Sequence, residues 1–194
     1  AEGEYRFTAT ESGTYHVTAT DNVGNEIKSS DIVIQIDKES VPTPTLAVTS
    51  EYKDAETGKH WTKSSIEVTP SAEGYNPVSG YRFTYSGAAS GEVARGGKAT
   101  LTTAGEYTFK TVNGAGAISE TGAKVEFGVD TVKPELTVED YTTGWTDKNV
   151  TVNVKASDSL SGIASVKLDN GTDLEKVAEG EYRFTATESG TYHV

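Results

Sequence analysis

AEGEYRFTATESGTYHV fills residues 1–17 and recurs, letter for letter, at residues 178–194. Inside the second copy, Tyr182-Arg183-Phe184-Thr185 alternates apolar with polar side chains, the period-two pattern of a strand with one buried face. Tyr15-His16-Val17-Thr18-Ala19 carries the same alternation, and so does Val150-Thr151-Val152-Asn153-Val154-Lys155. The repeat also keeps surface letters such as Glu11, Ser12 and Thr14, which no fold requires. It therefore marks a tandem period of 177 residues, the step from position 1 to position 178. On this reading the chain is one period plus a seventeen-residue overlap. Ala1 falls within a strand-like pattern, so the chain is expected to start mid-module, with any export signal or wall anchor outside it.

A fainter echo runs inside the period. Val41-Pro42-Thr43-Pro44-Thr45-Leu46-Ala47-Val48 leads to Trp61-Thr62, Ser79-Gly80-Tyr81, Gly105-Glu106-Tyr107 and Asn113-Gly114-Ala115-Gly116, ending at Val129-Asp130. Lys133-Pro134-Glu135-Leu136-Thr137-Val138 leads to Trp145-Thr146, Ser161-Gly162-Ile163 and Gly190-Thr191-Tyr192. Through the N-terminal copy that line continues to Asp21-Asn22-Val23-Gly24-Asn25 and Ile36-Asp37. Two related modules are thus expected to alternate. One is complete at 38–130. The other is split across the chain ends, its later part at 1–37 and its earlier part at 131–194.

The totals agree with an all-β chain: Thr, Val, Ser, Gly and Tyr are abundant, and no apolar run is long enough for a membrane span. Lys and Arg number 17 against 29 Asp and Glu, a net charge of −12, which repels phosphate backbones and anionic lipids. Neither nucleic acid nor membrane insertion is expected. The absence of cysteine removes disulfides, thiolate catalysis and zinc–thiolate sites together.

Further strands are expected at 66–68, 81–85, 99–102, 107–112 and 123–127, with turns at Asp169-Asn170-Gly171, Ala88–Gly91, Gly96-Gly97 and Asn113-Gly114. About seven short strands per module without helical periodicity is an immunoglobulin-like pattern. The step Gly-x-Tyr, at Gly13-Thr14-Tyr15 and Gly105-Glu106-Tyr107, fits a tyrosine whose hydroxyl ties down the preceding corner.

With Pro134, Trp145-Thr146, Ala156-Ser157-Asp158-Ser159-Leu160-Ser161-Gly162-Ile163, Phe184 and Asp21-Asn22-Val23-Gly24-Asn25 in this order, the chain resembles the bacterial Ig-like repeats of large cell-surface, adhesin-type proteins. The likeness covers both modules and marks a fold and a setting more than a chemistry. It implies two alternating immunoglobulin-like β-sandwich modules arranged end to end, exported to the bacterial surface, in particular to a Gram-positive cell wall.

Catalytic signals are missing: there is no Gly-x-Ser-x-Gly, phosphate-cradling loop or His-Glu-x-x-His, and no enzyme activity is expected. His16 and its copy His193 are placed on the solvated face, and His60 stands beside Trp61 with no nucleophile motif nearby. One constellation invites a metal. In an immunoglobulin-like topology the entering linker and two loops gather at one pole, which brings together Asp130, Asp158 and Asp21, the last from the adjoining repeat copy. Three carboxylates with loop carbonyls would ligate calcium and stiffen the junction. The complete module offers Asp37, Asn76 and Asn113, with less charge. The preferred reading is plainer: Asp21 and Asp158 accept hydrogen bonds from nearby amides in Asx-turns before Gly24 and Gly162. Tyr52, Tyr75 and Tyr141, expected in loops, either stack on sugars or cover the end of a core.

The expected role is a structural spacer or stalk that projects a distal binding region, with neighbouring Ig-like repeats as partners, in one chain or head to tail between chains. Such a head-to-tail contact does not close and gives a fibre. The alternatives are a glycan- or host-protein-binding module and an accessory domain of a secreted glycoside hydrolase.

Overall fold

The computed structural model describes residues 3–194, and every regular element among them is a strand. Four short strands come first: β1 (Gly13–Tyr15), β2 (Thr18–Thr20), β3 (Glu26–Lys28) and β4 (Ile32–Ile34). They make two small sheets, β1 with β4 and β2 with β3. Nine follow, β5 (Thr45–Thr49), β6 (Tyr52–Lys53), β7 (His60–Thr62), β8 (Ile66–Ser71), β9 (Tyr81–Gly87), β10 (Gly91–Ala94), β11 (Ala99–Leu101), β12 (Gly105–Asn113) and β13 (Ala123–Val129). The last four are β14 (Glu135–Val138), β15 (Val150–Ser157), β16 (Glu175–Ala178) and β17 (Glu181–Ala186). The larger sheets run β10-β9-β12-β13-β7-β6, β11-β8-β5 and β14-β15-β17-β16, a sandwich-like all-β fold of several sheets.

The chain divides into two compact units, one made of residues up to Thr49 with Glu67–Val125 and the other of Ser50–Ile66 with Glu126–Val194. In the first, period two sets the core: Tyr107, Phe109 and Thr111 project from the same face of β12 and are sealed from solvent, with Phe83 from β9 and Val68 from β8. Tyr85 and Phe109, directly opposite across β9 and β12, hold their rings 5.2 Å apart. Strand β5 lies antiparallel to β8 with Leu46 opposite Pro70 and Val48 opposite Val68.

In the second unit β14 lies antiparallel to β15 with Leu136 opposite Ala156 and Val138 opposite Val154. The pairing repeats that of β5 with β8 in kind, shifted by two residues along the echo: Leu46 faces the ninth residue after Trp61, and Leu136 faces the eleventh after Trp145. The alternation of Val150–Lys155 is carried through: Val152, Val154 and Ala156 are buried with Val166, Leu174 and Tyr182. Outside this core, Arg183 of β17 donates a fork of two 2.8 Å bonds to Glu175 of β16.

The strand expected over Tyr15–Ala19 is broken. Tyr15 pairs with Ile32, whereas Thr18 pairs with Lys28, so the chain changes partner in between. Val17 bridges the gap through Ser29, accepting its N–H at 2.8 Å and donating to its Oγ at 3.0 Å.

The two copies of the seventeen-residue repeat differ in burial. Tyr182 is 6% exposed within β17, but its copy Tyr5 is 92% exposed and lies in no strand. Conversely, Gly13–Tyr15 is a strand through its pairing with Ile32–Ile34, and the copy Gly190–Tyr192 is not. Identical letters take the structure that their strand partners permit.

Candidate functional site

Two aspartates mark the chain at residues 37 and 130, and they hold the same hydrogen bonds. Asp130 Oδ1 accepts the N–H of Val132 at 3.0 Å, while its Oδ2 accepts the N–H of Ser161 at 3.1 Å and the Ser161 hydroxyl at 2.5 Å. Asp37 Oδ1 accepts the N–H of Glu39 at 3.0 Å, and its Oδ2 accepts the N–H of Ser79 at 3.3 Å together with the Ser79 hydroxyl. The serine hydroxyl, then the amides, hold each carboxyl below the usual aspartate range, because every one of these bonds favours the ionised form. Each aspartate thereby ties the segment leading into β5 or β14 to a Ser-Gly loop 42 or 31 residues further on.

A second frame recurs at the long turns. Asp21 Oδ1 accepts the amides of Val23 and Asn25 at 2.9 and 2.8 Å, Oδ2 accepts Asn25 Nδ2 at 2.7 Å, and the Asn25 side chain is the main reason its carboxyl is acidified. Asn113 Oδ1 likewise accepts the amide of Ala117, four residues on, at 2.8 Å. In both turns the amide of a left-handed glycine, Gly24 or Gly116, closes on the carbonyl three residues back. Asp158 accepts from Leu160 and Gly162 at 3.0 and 2.9 Å. Asp21 and Asp158 thus occupy the turns expected of them.

Of the candidate metal ligands, Asp130 and Asp158 come to the same loop, Asp130 through Ser161 and Asp158 through Gly162. The third belongs to an adjoining copy. Among the described residues no group of three His, Cys, Asp or Glu side chains is gathered as a metal would need. In the first unit, Asp37 and Asn113 both meet the Ser79-Gly80 loop, the latter through Gly114 N–H to Gly80 O at 2.9 Å. Asn76 turns away, its Oδ1 accepting from Arg95 at 2.9 Å.

The tyrosine corners are present three times. Tyr107 donates to Thr103 O at 2.6 Å, Tyr15 to Glu11 O at 2.8 Å and Tyr192 to Glu188 O at 3.0 Å, each four residues back. Such a bond contributes about 1 kcal/mol to stability. In both repeat copies a phenylalanine packs against the corner tyrosine, Phe7 with Tyr15 at 5.7 Å and Phe184 with Tyr192 at 5.5 Å.

His60 is nearly buried, with Nδ1 2.8 Å from Ser50 Oγ; burial, then the charge of Lys53, lowers its pKa. His16 is exposed beside Asp31, at 3.4 Å, and His193 is exposed. Tyr75 is buried and covers a core, Tyr141 is exposed, and Tyr52 stands in β6 instead of a loop because it pairs with Trp61. In the second unit an open depression of about 150 Å³ is lined by Leu136, Ala156, Ile163, Val166 and Val194.

The sequence reading missed the serines that grip Asp37 and Asp130. Their signal was the recurrence of Ser-Gly at 79–80 and 161–162, read as an echo without being paired to the aspartates. No helix among the described residues is long and apolar enough to cross a membrane. No protein-family model, curated protein or solved structure matches the chain.

Proposed function

We propose that the chain is a period of a tandem array of immunoglobulin-like β-sandwich modules that serves as a spacer or stalk in an adhesin-type protein of the bacterial surface. The observation that carries this reading is the repetition of one joint: Asp37–Ser79 and Asp130–Ser161 share donors, acceptors and spacing from the linker. A joint of this kind fixes how a linker enters the module after it. Repetition of a fixed joint makes length the product. The excess of carboxylates adds repulsion between neighbouring stalks. Alternating dissimilar modules keeps identical sequences from being immediate neighbours, which lowers the risk of strand exchange during folding.

Small-angle scattering on polypeptides of one, two and three 177-residue periods tests the reading. The maximum dimension grows by equal increments for a stalk; a compact particle that grows by less with each period contradicts it. A glycan-binding role is the second reading, favoured by Trp145, 99% exposed, and Tyr141, 51% exposed, within one stretch between β14 and β15. Binding on a glycan array separates the two.

A further inference from the structure

Trp61 and Trp145 are the only tryptophans, and each is followed by threonine. After each, a serine or lysine amide turns back to that threonine's Oγ1 at 3.2 Å, Ser64 to Thr62 and Lys148 to Thr146. The turn is the same; the surroundings are not. His60–Thr62 lies parallel to Phe127–Val129, with Trp61 opposite Gly128, and the N–H of Asp130 closes the pair on Thr62 O at 2.9 Å. The Trp61 ring rests on the bare Gly128 backbone, where an added Cβ would stand 2.4 Å from it. Among the described residues no such strand lies alongside Trp145, which is 99% exposed. Nearby, Leu136 and Val138 share a face with buried Ala156 and Val154 but remain 47% and 45% exposed.

A match within the sequence points to a cover for this face. Phe127-Gly128-Val129-Asp130 aligns with Ile34-Gln35-Ile36-Asp37, a stretch that follows the first copy of the repeat that residues 178–194 duplicate. Ile32, Ile34 and Ile36 are half-buried in alternation with exposed Val33 and Gln35, the pattern of a strand with an apolar side.

Resting on the modular reading above, we propose that residues 18–37 of a second copy of this chain dock on residues 131–194, adding the strands that cover Trp145, Leu136 and Val138. The register carries over from the residues that already show it. Gly13↔Ile34, Thr14↔Val33 and Tyr15↔Ile32 become Gly190↔Ile34, Thr191↔Val33 and Tyr192↔Ile32 of the second copy. On its other edge the same strand runs parallel to Gly144–Thr146, with Gln35 opposite Trp145, as Gly128 is opposite Trp61. Gln35 has a side chain where Gly128 has none, so Trp145 packs along its aliphatic stem instead of onto backbone. Each copy offers both the donor segment and the acceptor face, and the contact is heterologous, so association propagates into chains of copies.

Two experiments on the full 194-residue chain test this. In Trp61→Phe, Trp145 is the sole indole; its emission shifts to shorter wavelength as protein concentration rises, in step with the growth of larger species in sedimentation, and Ile34→Asp abolishes both changes. With Val33→Cys and Thr191→Cys together, oxidation gives a ladder of covalent multimers, which is unambiguous in a chain without other cysteines. Emission of a water-exposed indole at every concentration, an internally closed monomer on oxidation, or association that survives Ile34→Asp each overturns the proposal. A chain that stays monomeric leaves the modular reading standing, because that reading is tested by joining the two segments in one polypeptide.

Discussion

Asp130 receives both the hydroxyl and the backbone N–H of Ser161 on a single carboxylate oxygen, at 2.5 and 3.1 Å. The pair binds the segment before β14 to the loop after β15, and Asp37 with Ser79 repeats it between the segment before β5 and the loop after β8. Because the bonds act as one unit, removing either partner removes the joint.

Asp130→Asn and Ser161→Ala are each expected to lower the thermal midpoint, and the double variant to fall no further than the worse single one. The carboxyl is more acidic folded than unfolded. Its contribution is therefore complete above the unfolded aspartate value of about 3.9 and is lost as pH falls through the lower folded value. Thermal melts of the variants between pH 2 and 7 check both points; additive losses would show that the pair is uncoupled.

Gly128 is required by the ring that lies on it. Gly128→Ala places a methyl against Trp61 and is expected to cost about 1–3 kcal/mol through forced displacement. Denaturant unfolding measures the loss. The same change in a Trp61→Leu background should cost less, since the obstructing ring is gone.

His60 produces a pH dependence of the opposite cause. Burial lowers its folded pKa, so the unfolded chain takes up the proton first, and stability is expected to decline as pH falls below about 6.5 until the folded value is passed. His60→Gln should flatten this limb in melts between pH 5 and 8. A slope unchanged in the variant would assign the effect to another group.

Millimolar calcium is expected to leave the thermal midpoint unchanged, because the amides and hydroxyl around Asp130 and Asp158 already satisfy the turns they shape. A rise in midpoint that a chelator reverses would place a cation at these carboxylates.

Much of the fold could be read from local pattern. The alternation of Val150–Lys155 and Tyr107–Val112 specifies a buried face whatever the strand order, and Gly-x-Tyr foretold the hydroxyl bonds of Tyr15 and Tyr107. Asp21 and Asp158 in their turns were equally legible, since an Asx-turn needs only neighbours in sequence. What escaped depends on residues far apart. Ser161 meets Asp130 across 31 positions, and nothing local reveals the pairing. The break at His16–Val17 arises from a change of strand partner, to which periodicity is blind. Tyr5 and Tyr182 make the limit plain, for one sequence window gives an exposed and a buried tyrosine.

If residues 131–194 and 18–37 are the two parts of one module, as proposed, a single polypeptide of 131–194 followed directly by 18–37 folds as a unit. Denaturant unfolding followed by Trp145 fluorescence is predicted to show one cooperative transition from a shielded to a water-exposed indole. A gradual change without a transition, or an indole exposed from the outset, would contradict it.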